Sequence, residues 1–235
     1  MQHLRRFWLG GTAGWLFLAM PVHADYAKGM TMFQIYGGGS SLNGHYDFPG
    51  VSRDEESYAD SGGVIGGQFL YFFMDNPCLA VGFDISHSGF SDHTSALLIA
   101  NRLTQSSADN TTGVVVLRAS FPKGHFRPYI QGGLGVHHTR LKLDAIPIHL
   151  TTWSDTGTSE DRLLYDDGHI GPALEGAIGM HIYFTERFFV GAELKVLSLI
   201  GKDFSPTAAG INEGLVNTRG AVSESGLGLM IGLGF

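Results

Sequence analysis

The sequence predicts an all-β protein, an eight-stranded antiparallel up-and-down β-barrel that spans a membrane. Three observations predict it: glycine occupies 34 of 235 positions, apolar and polar residues alternate along eight segments, and short and long connections alternate between those segments. Each glycine inside a helix costs about 1 kcal/mol, so this glycine content disfavours a helical bundle. Alternation with a period of two places apolar residues on one face of a strand and small or polar residues on the other.

Composition and charge exclude several other classes of protein. The 16 Phe, 8 Tyr and 3 Trp residues supply more apolar mass than a disordered chain carries. A single cysteine, Cys78, excludes a disulfide scaffold. The formal net charge of −7 gives no electrostatic support to phosphate binding, so we expect no nucleic-acid partner.

The first 24 residues are typical of a secretory signal peptide. Arg5 and Arg6 precede an apolar run over 7–20, and Ala24 closes a small-residue cleavage site. The run is interrupted by glycines and is shorter than the ~20 residues that a membrane-spanning helix needs. We therefore predict that the chain is exported and that the mature barrel domain occupies 25–235.

Each alternating segment predicts one strand. The strands are expected at about 30–39, 63–74, 79–86, 113–121, 128–141, 173–184, 190–197 and 226–235. In the third strand, four large apolar residues share one face: Leu79, Val81, Phe83 and Ile85. The second strand is apolar on both sides near its end, so the sequence leaves its facing open.

The connections predict how the strands are arranged. Three connections are short, at about 75–78, 122–127 and 185–187. Four are long and polar, at about 40–62, 87–112, 142–169 and 200–222. Transmembrane barrels have this asymmetry, because their periplasmic turns are short and their external loops are long.

The two faces of the predicted strands have different surroundings. The apolar face must meet lipid, because Arg or Lys on that face costs about 2–4 kcal/mol at mid-depth. The other face lines an interior that side chains can fill in an eight-stranded barrel. Six charged residues lie on it, and we predict that they form a polar network that plugs the lumen: Asp84, Arg118, Glu175, Glu193, Lys195 and Glu224.

Buried charges need partners, so we predict two groups within this network. Counted from the short turns, Asp84 and Arg118 are expected at similar depth on adjacent strands. Glu175, Glu193 and Lys195 are expected near one another on the next pair of strands.

The pattern as a whole resembles a known family. The eight strands, the segment Pro128-Tyr129-Ile130-Gln131-Gly132-Gly133-Leu134-Gly135-Val136 and a last strand ending in Phe235 are similar to the small outer-membrane barrels of the OmpA and OmpX type. The resemblance implies that the barrel-assembly machinery recognises the last strand through its terminal aromatic and the apolar residues before it. Leu229, Ile231, Leu233 and Phe235 match that signal. No peptidoglycan-binding domain is expected after the barrel.

The histidines invite a metal hypothesis, which the sequence does not favour. His137 and His138 are strand neighbours, so their side chains point to opposite faces and cannot share an ion. Four residues around one loop entry, His87, His93, Asp84 and Asp92, follow no ligand spacing. We expect neither a metal nor a cofactor.

A hydrolase is a further alternative, because some barrels of this size are lipid A deacylases that use Ser, His and an acid. The nearest candidates are His93 and Ser95, with Asp109 further along the chain. They lie in a long polar loop, whereas a catalytic triad needs rigid positioning. We therefore expect no enzymatic activity.

The function expected from the sequence is structural, or a surface interaction through the loops. The alternatives are a channel for small or apolar solutes, similar to the OmpW family, and a lipid A-modifying hydrolase. The resemblance implies a monomer in the bacterial outer membrane. Its expected partners are membrane lipid, lipopolysaccharide, the assembly machinery and an extracellular ligand of the loops.

Overall fold

The computed structural model describes residues 28–46, 61–75, 78–91, 102–121, 124–147, 162–200, 203–208, 211 and 218–235. These parts of the chain form the strands β1 Thr31–Tyr46, β2 Ser61–Asp75, β3 Cys78–Ser91, β4 Arg102–Ser120, β5 Phe126–Pro147, β6 Arg162–Tyr183, β7 Phe188–Leu199, β8 Asp203–Phe204 and β9 Thr218–Gly234. The predicted signal peptide over 1–24 lies outside the described residues. No helix in the described parts of the chain is long and apolar enough to cross a bilayer.

Eight of the strands close into one antiparallel barrel. β1 to β7 pair in chain order, β7 pairs with β9, and β9 pairs back to β1. The two-residue strand β8 pairs with Thr218 and Arg219 of β9 in a separate small sheet. The predicted eight-stranded antiparallel barrel is therefore confirmed, with β8 as an addition. Below, the end with the short connections is called the turn end and the opposite end the loop end.

The outer surface near the turn end is an apolar belt. Its members are exposed and come from all eight barrel strands, among them Phe33, Ile35, Ile65, Phe69, Phe83, Ile85, Val115, Leu117, Ile130, Leu134, Ile170, Ile178, Leu194, Val196, Leu229 and Ile231. A soluble protein rarely exposes so large a continuous apolar surface, whereas a membrane barrel requires one. Closure also leaves no unpaired strand edge within this belt.

The structure shows which side chains of β2 point into the barrel. Gln68, Leu70 and Phe72 are buried and point inward, while Phe69 and Tyr71 point outward. A register shift between Phe72 and Met74 interrupts the alternation near the turn end. This irregularity explains why the sequence is apolar on both sides there.

The strands are longer than predicted at the loop end. β3 continues to Ser91 and β4 begins at Arg102, so much of the predicted loop 87–112 is paired strand. The predicted loop 142–169 is shortened in the same way, because β5 and β6 have 22 residues each. β1 and β9 likewise reach into the predicted loops at 40–62 and 200–222.

These extensions lie beyond the part of the wall that contacts lipid, but they remain hydrogen-bonded in the sheet. A membrane-crossing strand needs only about 9–11 residues. Beyond the belt the outward residues are polar, and Arg140 of β5 donates two hydrogen bonds to Asp166 of β6, at 2.7 and 2.9 Å. The barrel wall therefore continues past the apolar belt as a water-facing cylinder.

Candidate functional site: the barrel lumen

The inward side chains form three regions along the lumen. At the turn end, an inner apolar plug consists of buried Met32, Leu70, Phe72, Tyr183 and Phe189, with buried Arg127 and His181 packed against its aromatic rings. In the middle, a charged cluster consists of Asp84, Arg118, Glu175, Glu193 and Lys195 with two tyrosines and three glutamines. Towards the loop end, an outer polar cluster surrounds Glu224.

Lys195 lies at the centre of the charged cluster. Its Nζ donates to Asp84 Oδ2 at 2.8 Å and to the Tyr36 hydroxyl at 2.7 Å. The Tyr36 hydroxyl donates in turn to Asp84 Oδ1 at 2.6 Å, so each of the three side chains is hydrogen-bonded to the other two. Glu175 and Glu193 each place a carboxylate oxygen 3.7 Å from the same Nζ.

Arg118 is the second cation of the cluster. Its Nη2 lies 3.6 Å from Glu193 Oε2, and its guanidinium carbon lies 3.7 Å from the centre of the Tyr129 ring. The Tyr129 hydroxyl also donates to Glu193 Oε2 at 2.6 Å. Tyr129 therefore holds the cation and its acidic partner together, which favours burial of both charges.

Glutamines connect the two cations. Gln68 Oε1 accepts from Arg118 Nη2 at 2.5 Å, and Gln68 Nε2 donates to Asp84 Oδ2 at 3.0 Å. Gln131 Oε1 accepts from Arg118 Nε at 2.9 Å, and Gln131 Nε2 donates to Glu175 Oε1 at 2.5 Å. An amide can do this because it carries both a donor and an acceptor group.

The structure places all six predicted charged residues in the lumen, but two of them do not lie at the similar depth that the sequence predicts. Arg118 pairs in register with Ala80, and Asp84 with Val114, so Asp84 and Arg118 are not at similar depth. Gln68 joins them instead. Sequence analysis also missed Tyr36 and the glutamines as members of the cluster, although their inward positions follow from the same alternation.

Glu224 stands apart from the other five. Its Oε1 accepts from Ser40 at 2.7 Å, and its Oε2 accepts from Ser88 and Asn110 at 3.0 Å each. A cavity of about 20 Å³ lies between Glu224 and the charged cluster, lined in part by Tyr36, Glu193 and Lys195. That volume holds about one water molecule.

The family model for the outer membrane protein beta-barrel domain matches residues 11–235. The chain belongs to this family. The family places the protein in the bacterial outer membrane as a β-barrel. No curated protein matches the chain by sequence.

Solved structures of low identity share the barrel fold. Outer membrane protein OprG from Pseudomonas aeruginosa has a TM-score of 0.54 at 16% identity, covering 90% of this chain and 98% of its own. The attachment invasion locus protein Ail of Yersinia pestis has a TM-score of 0.47 at 12% identity, covering 89% and 100%. The outer membrane protease OmpT from Escherichia coli has a TM-score of 0.45 at 8% identity, covering 88% and 93%. One of these three similar structures is a protease by its name.

Those candidates for metal and hydrolase chemistry that the structure describes do not come together. Among the described residues, no group of three or more His, Cys, Asp or Glu side chains is arranged to hold a metal ion. Asp84 lies inside the lumen, whereas His87 is exposed outside and contacts Thr111. Asp109 is exposed on β4. Three further candidates lie outside the described residues: Asp92, His93 and Ser95.

The residues of the predicted assembly signal share the outer face of β9. Leu229, Ile231, Leu233 and Phe235 are all exposed to the lipid side. The backbone of Phe235 is fixed to the first strand, because its N–H donates to Thr31 O at 2.7 Å and its carbonyl accepts from Thr31 N at 3.0 Å. The last residue therefore closes the barrel at the turn end.

Proposed function

We propose that the protein is a plugged, non-catalytic outer-membrane barrel with a structural or surface-interaction role. The observation that carries this proposal is the contact between Lys195 of β7 and Asp84 of β3. In the barrel order these strands lie on opposite walls, so the 2.8 Å hydrogen bond crosses the lumen. A solute could pass only by separating two buried charges, which costs several kcal/mol.

A second crossing supports the same conclusion. Glu224 of β9 accepts from Asn110 of β4, and these strands are also on opposite walls. Below the charged cluster, the inner apolar plug closes the turn end. Polar and apolar regions thus fill the lumen at three levels.

The extended wall at the loop end supports a role at the cell surface. Paired strands continue beyond the apolar belt and end at Tyr46 of β1, Ser91 of β3 and Pro147 of β5, from which the chain continues into 47–60, 92–101 and 148–161. Function in barrels of this kind then resides in the segments that the rigid wall displays. We propose that these segments meet an extracellular ligand, that the belt contacts membrane lipid and lipopolysaccharide, and that the barrel is a monomer.

Conductance in planar bilayers tests the plug. The wild-type barrel should give no steady openings. A variant that opens all three levels, with Lys195→Ser, Asp84→Ser and Glu224→Ser combined with Phe72→Ala and Phe189→Ala, should conduct because neither crossing contact nor the inner apolar plug remains. Replacing exposed Leu194 by Ser is a matched control on the same strand and should leave the bilayer silent. Steady, ion-selective openings of the wild type would contradict the plugged barrel and favour a channel.

A groove on the outer surface favours a second candidate, sideways passage of apolar solutes into the membrane. The groove has a volume of about 490 Å³ and is lined by apolar residues that include Ile35, Ile65 and Leu229. Tyr36 and Val64 line both this groove and the small lumen cavity, so the wall is thin there. Uptake of an apolar dye by liposomes that contain the barrel, in the absence of ion conductance, would support this candidate.

The non-catalytic part of the proposal has its own test. Expression of the wild type and of Ser95→Ala in the same host should give lipid A of the same mass. A mass loss of one acyl chain that depends on Ser95 would instead establish the hydrolase.

A further inference from the structure

The groove on the outer surface runs along β1. Exposed Leu229 of β9 and exposed Ile65 of β2 are both in register with Gly37, so two large side chains flank a residue that has none. Ile35, Gly37, Ile65 and Leu229 line the outer cavity of about 490 Å³, and Gly39 continues its floor towards the loop end. The side chain of Ile35 closes the groove on the side of the turn end.

The fold does not require either glycine of this floor. Neither Gly37 nor Gly39 has a positive φ. A Cβ at Gly39 would meet no atom within 4 Å, and a Cβ at Gly37 would lie 3.5 Å from the Val64 carbonyl oxygen, an ordinary contact. The register of β1 with both neighbouring strands continues across them without a bulge. A glycine inside a strand that has none of these reasons indicates that a ligand or another chain approaches closely.

The width of the groove fits one hydrocarbon chain. β2 and β9 are two strand spacings apart, which is about 10 Å, and Ile65 and Leu229 narrow the space between them. An α-helix with its side chains is about 10–12 Å wide, so it does not enter this space.

The length of the groove matches one leaflet of the membrane. From Ile35 to Ser41 the strand extends by about 20 Å. A strand tilted by about 40° rises about 15 Å over that length, which is half of the hydrocarbon thickness of a bilayer. An extended acyl chain in the groove would therefore span the outer leaflet.

The open end of the groove is polar. Ser41 of β1 is in register with Ser61 of β2 and Ser225 of β9, and all three continue the outward alternation of their strands. A serine hydroxyl donates to oxygen acceptors such as those of an ester or a phosphate, which a lipid carries only at its head. The groove is thus apolar along its length and polar at the end where the head of a lipid would lie.

A second pair of outward glycines lacks this shape. Gly132 of β5 and Gly176 of β6 are exposed and in register. The residues two positions away from Gly132 are the large exposed Ile130 and Leu134, so this depression is closed at both ends. It accommodates no extended chain along the strand.

We propose that the groove along β1 binds one acyl chain of lipopolysaccharide, with the head of that chain at the serine row. The loop end faces the outside of the cell, and lipopolysaccharide is the lipid of that leaflet. The inference rests on the proposed contact between the apolar belt and lipopolysaccharide, and it gives that contact a defined place.

Native mass spectrometry of the barrel, extracted from outer membranes in mild detergent, tests the proposal. The wild type should retain one lipopolysaccharide molecule per barrel. Gly37→Leu with Gly39→Leu fills the groove and should lower the retained fraction at least fivefold. Gly132→Leu with Gly176→Leu is the matched control, because it adds two lipid-facing leucines outside the groove, and it should retain lipid as the wild type does.

Folding and the position of the lipid head have their own measurements. Unboiled gel mobility reports the assembly of each variant, and Gly39→Leu alone, whose added Cβ meets no atom, replaces the double variant if that one assembles poorly. Ser41→Ala with Ser61→Ala should lower the retained fraction at least twofold. An unchanged fraction in this variant would overturn the position of the head at the serine row.

A photoreactive benzoylphenylalanine in place of Leu134 separates the groove from the belt. Cross-links from residue 134 to lipopolysaccharide, with equal retention by the wild type and the groove-filled variant, would overturn the groove site and leave the belt contact standing. The absence of both cross-links and retained lipid would overturn the belt contact as well. Retention of a phospholipid or of a second barrel that depends on Gly37 and Gly39, instead of lipopolysaccharide, would also overturn the proposal.

Discussion

Lys195 is the residue on which the charged cluster depends most. Its ammonium group contacts Asp84, Tyr36, Glu175 and Glu193. Arg118, by contrast, has three glutamines, a histidine and an aromatic ring as further partners. Three carboxylates and two cations meet there, so removal of Lys195 leaves three negative charges facing one positive charge.

A double-mutant cycle measures this dependence. Lys195→Met should lower the free energy of unfolding by about 3–5 kcal/mol, because it strands buried carboxylates. Adding Asp84→Asn should recover part of that loss, since Asp84 is the nearest partner. Denaturant unfolding in detergent gives all four values. Lys195→Met with Asp109→Asn is the control and should be additive within about 0.5 kcal/mol, whereas additivity of the Asp84 pair would show that the two charges do not meet.

For single residues, the sequence predicts which face of a strand a side chain occupies better than it predicts which residue that side chain contacts. Alternation alone places Asp84, Glu175 and Lys195 on the inner face. The nearest acid to Lys195 is nevertheless Asp84, from the opposite wall, and not Glu175 or Glu193. Which residues meet across a lumen depends on strand stagger and barrel radius, and a period of two carries neither quantity.

Strand length is the property that the sequence conveys least well at the scale of the element. Alternation marks where a strand touches lipid, because only lipid demands an apolar outer face. In β3 the outward residues change from Ile85 to His87 and Gly89, yet pairing with β4 continues to Ser91. The prediction therefore ended strands where the belt ends, although the backbone hydrogen bonds continue.

Two glycines test how closely neighbouring strands approach. A Cβ at inward-facing Gly82 of β3 would collide with the backbone carbonyl of Phe69 on β2, which cannot move without opening the sheet. Gly82→Ala should therefore remove most of the folded barrel. Gly176→Ala on β6 is the matched control, because nothing lies within 4 Å of its added Cβ, and it should fold normally. Folded fractions from unboiled gels give the comparison, and equal fractions would contradict the close approach at Gly82.

Closure is a property of the whole molecule. The β1–β9 register joins fifteen residue pairs from Met32 to Tyr46, so unfolding must break a complete ring of backbone hydrogen bonds. We expect the mature protein to resist SDS when unboiled and to migrate differently after boiling. Identical migration before and after heating would contradict a closed sheet in detergent.

Phe235 is the terminal aromatic of the predicted assembly signal. Phe235 is 65% exposed at the turn end of β9, and Phe121 is 66% exposed just beyond the turn end of β4, so the two side chains form a matched pair. Either Phe→Asp change removes interfacial burial worth about 1.5–3 kcal/mol, so refolding in detergent should suffer modestly and equally in both variants. The backbone bonds between residue 235 and Thr31 involve no side chain and should persist.

In cells the two variants should differ, if recognition of the last strand requires its terminal aromatic. Phe235→Asp should leave most of the protein as unassembled periplasmic material, whereas Phe121→Asp should reach the outer membrane at near wild-type levels. Surface labelling and the unboiled gel mobility of membrane fractions measure both. Equal assembly of the two variants would show that Phe235 acts only as an interfacial aromatic residue. A defect confined to Phe235→Asp would separate recognition during assembly from the stability of the finished barrel.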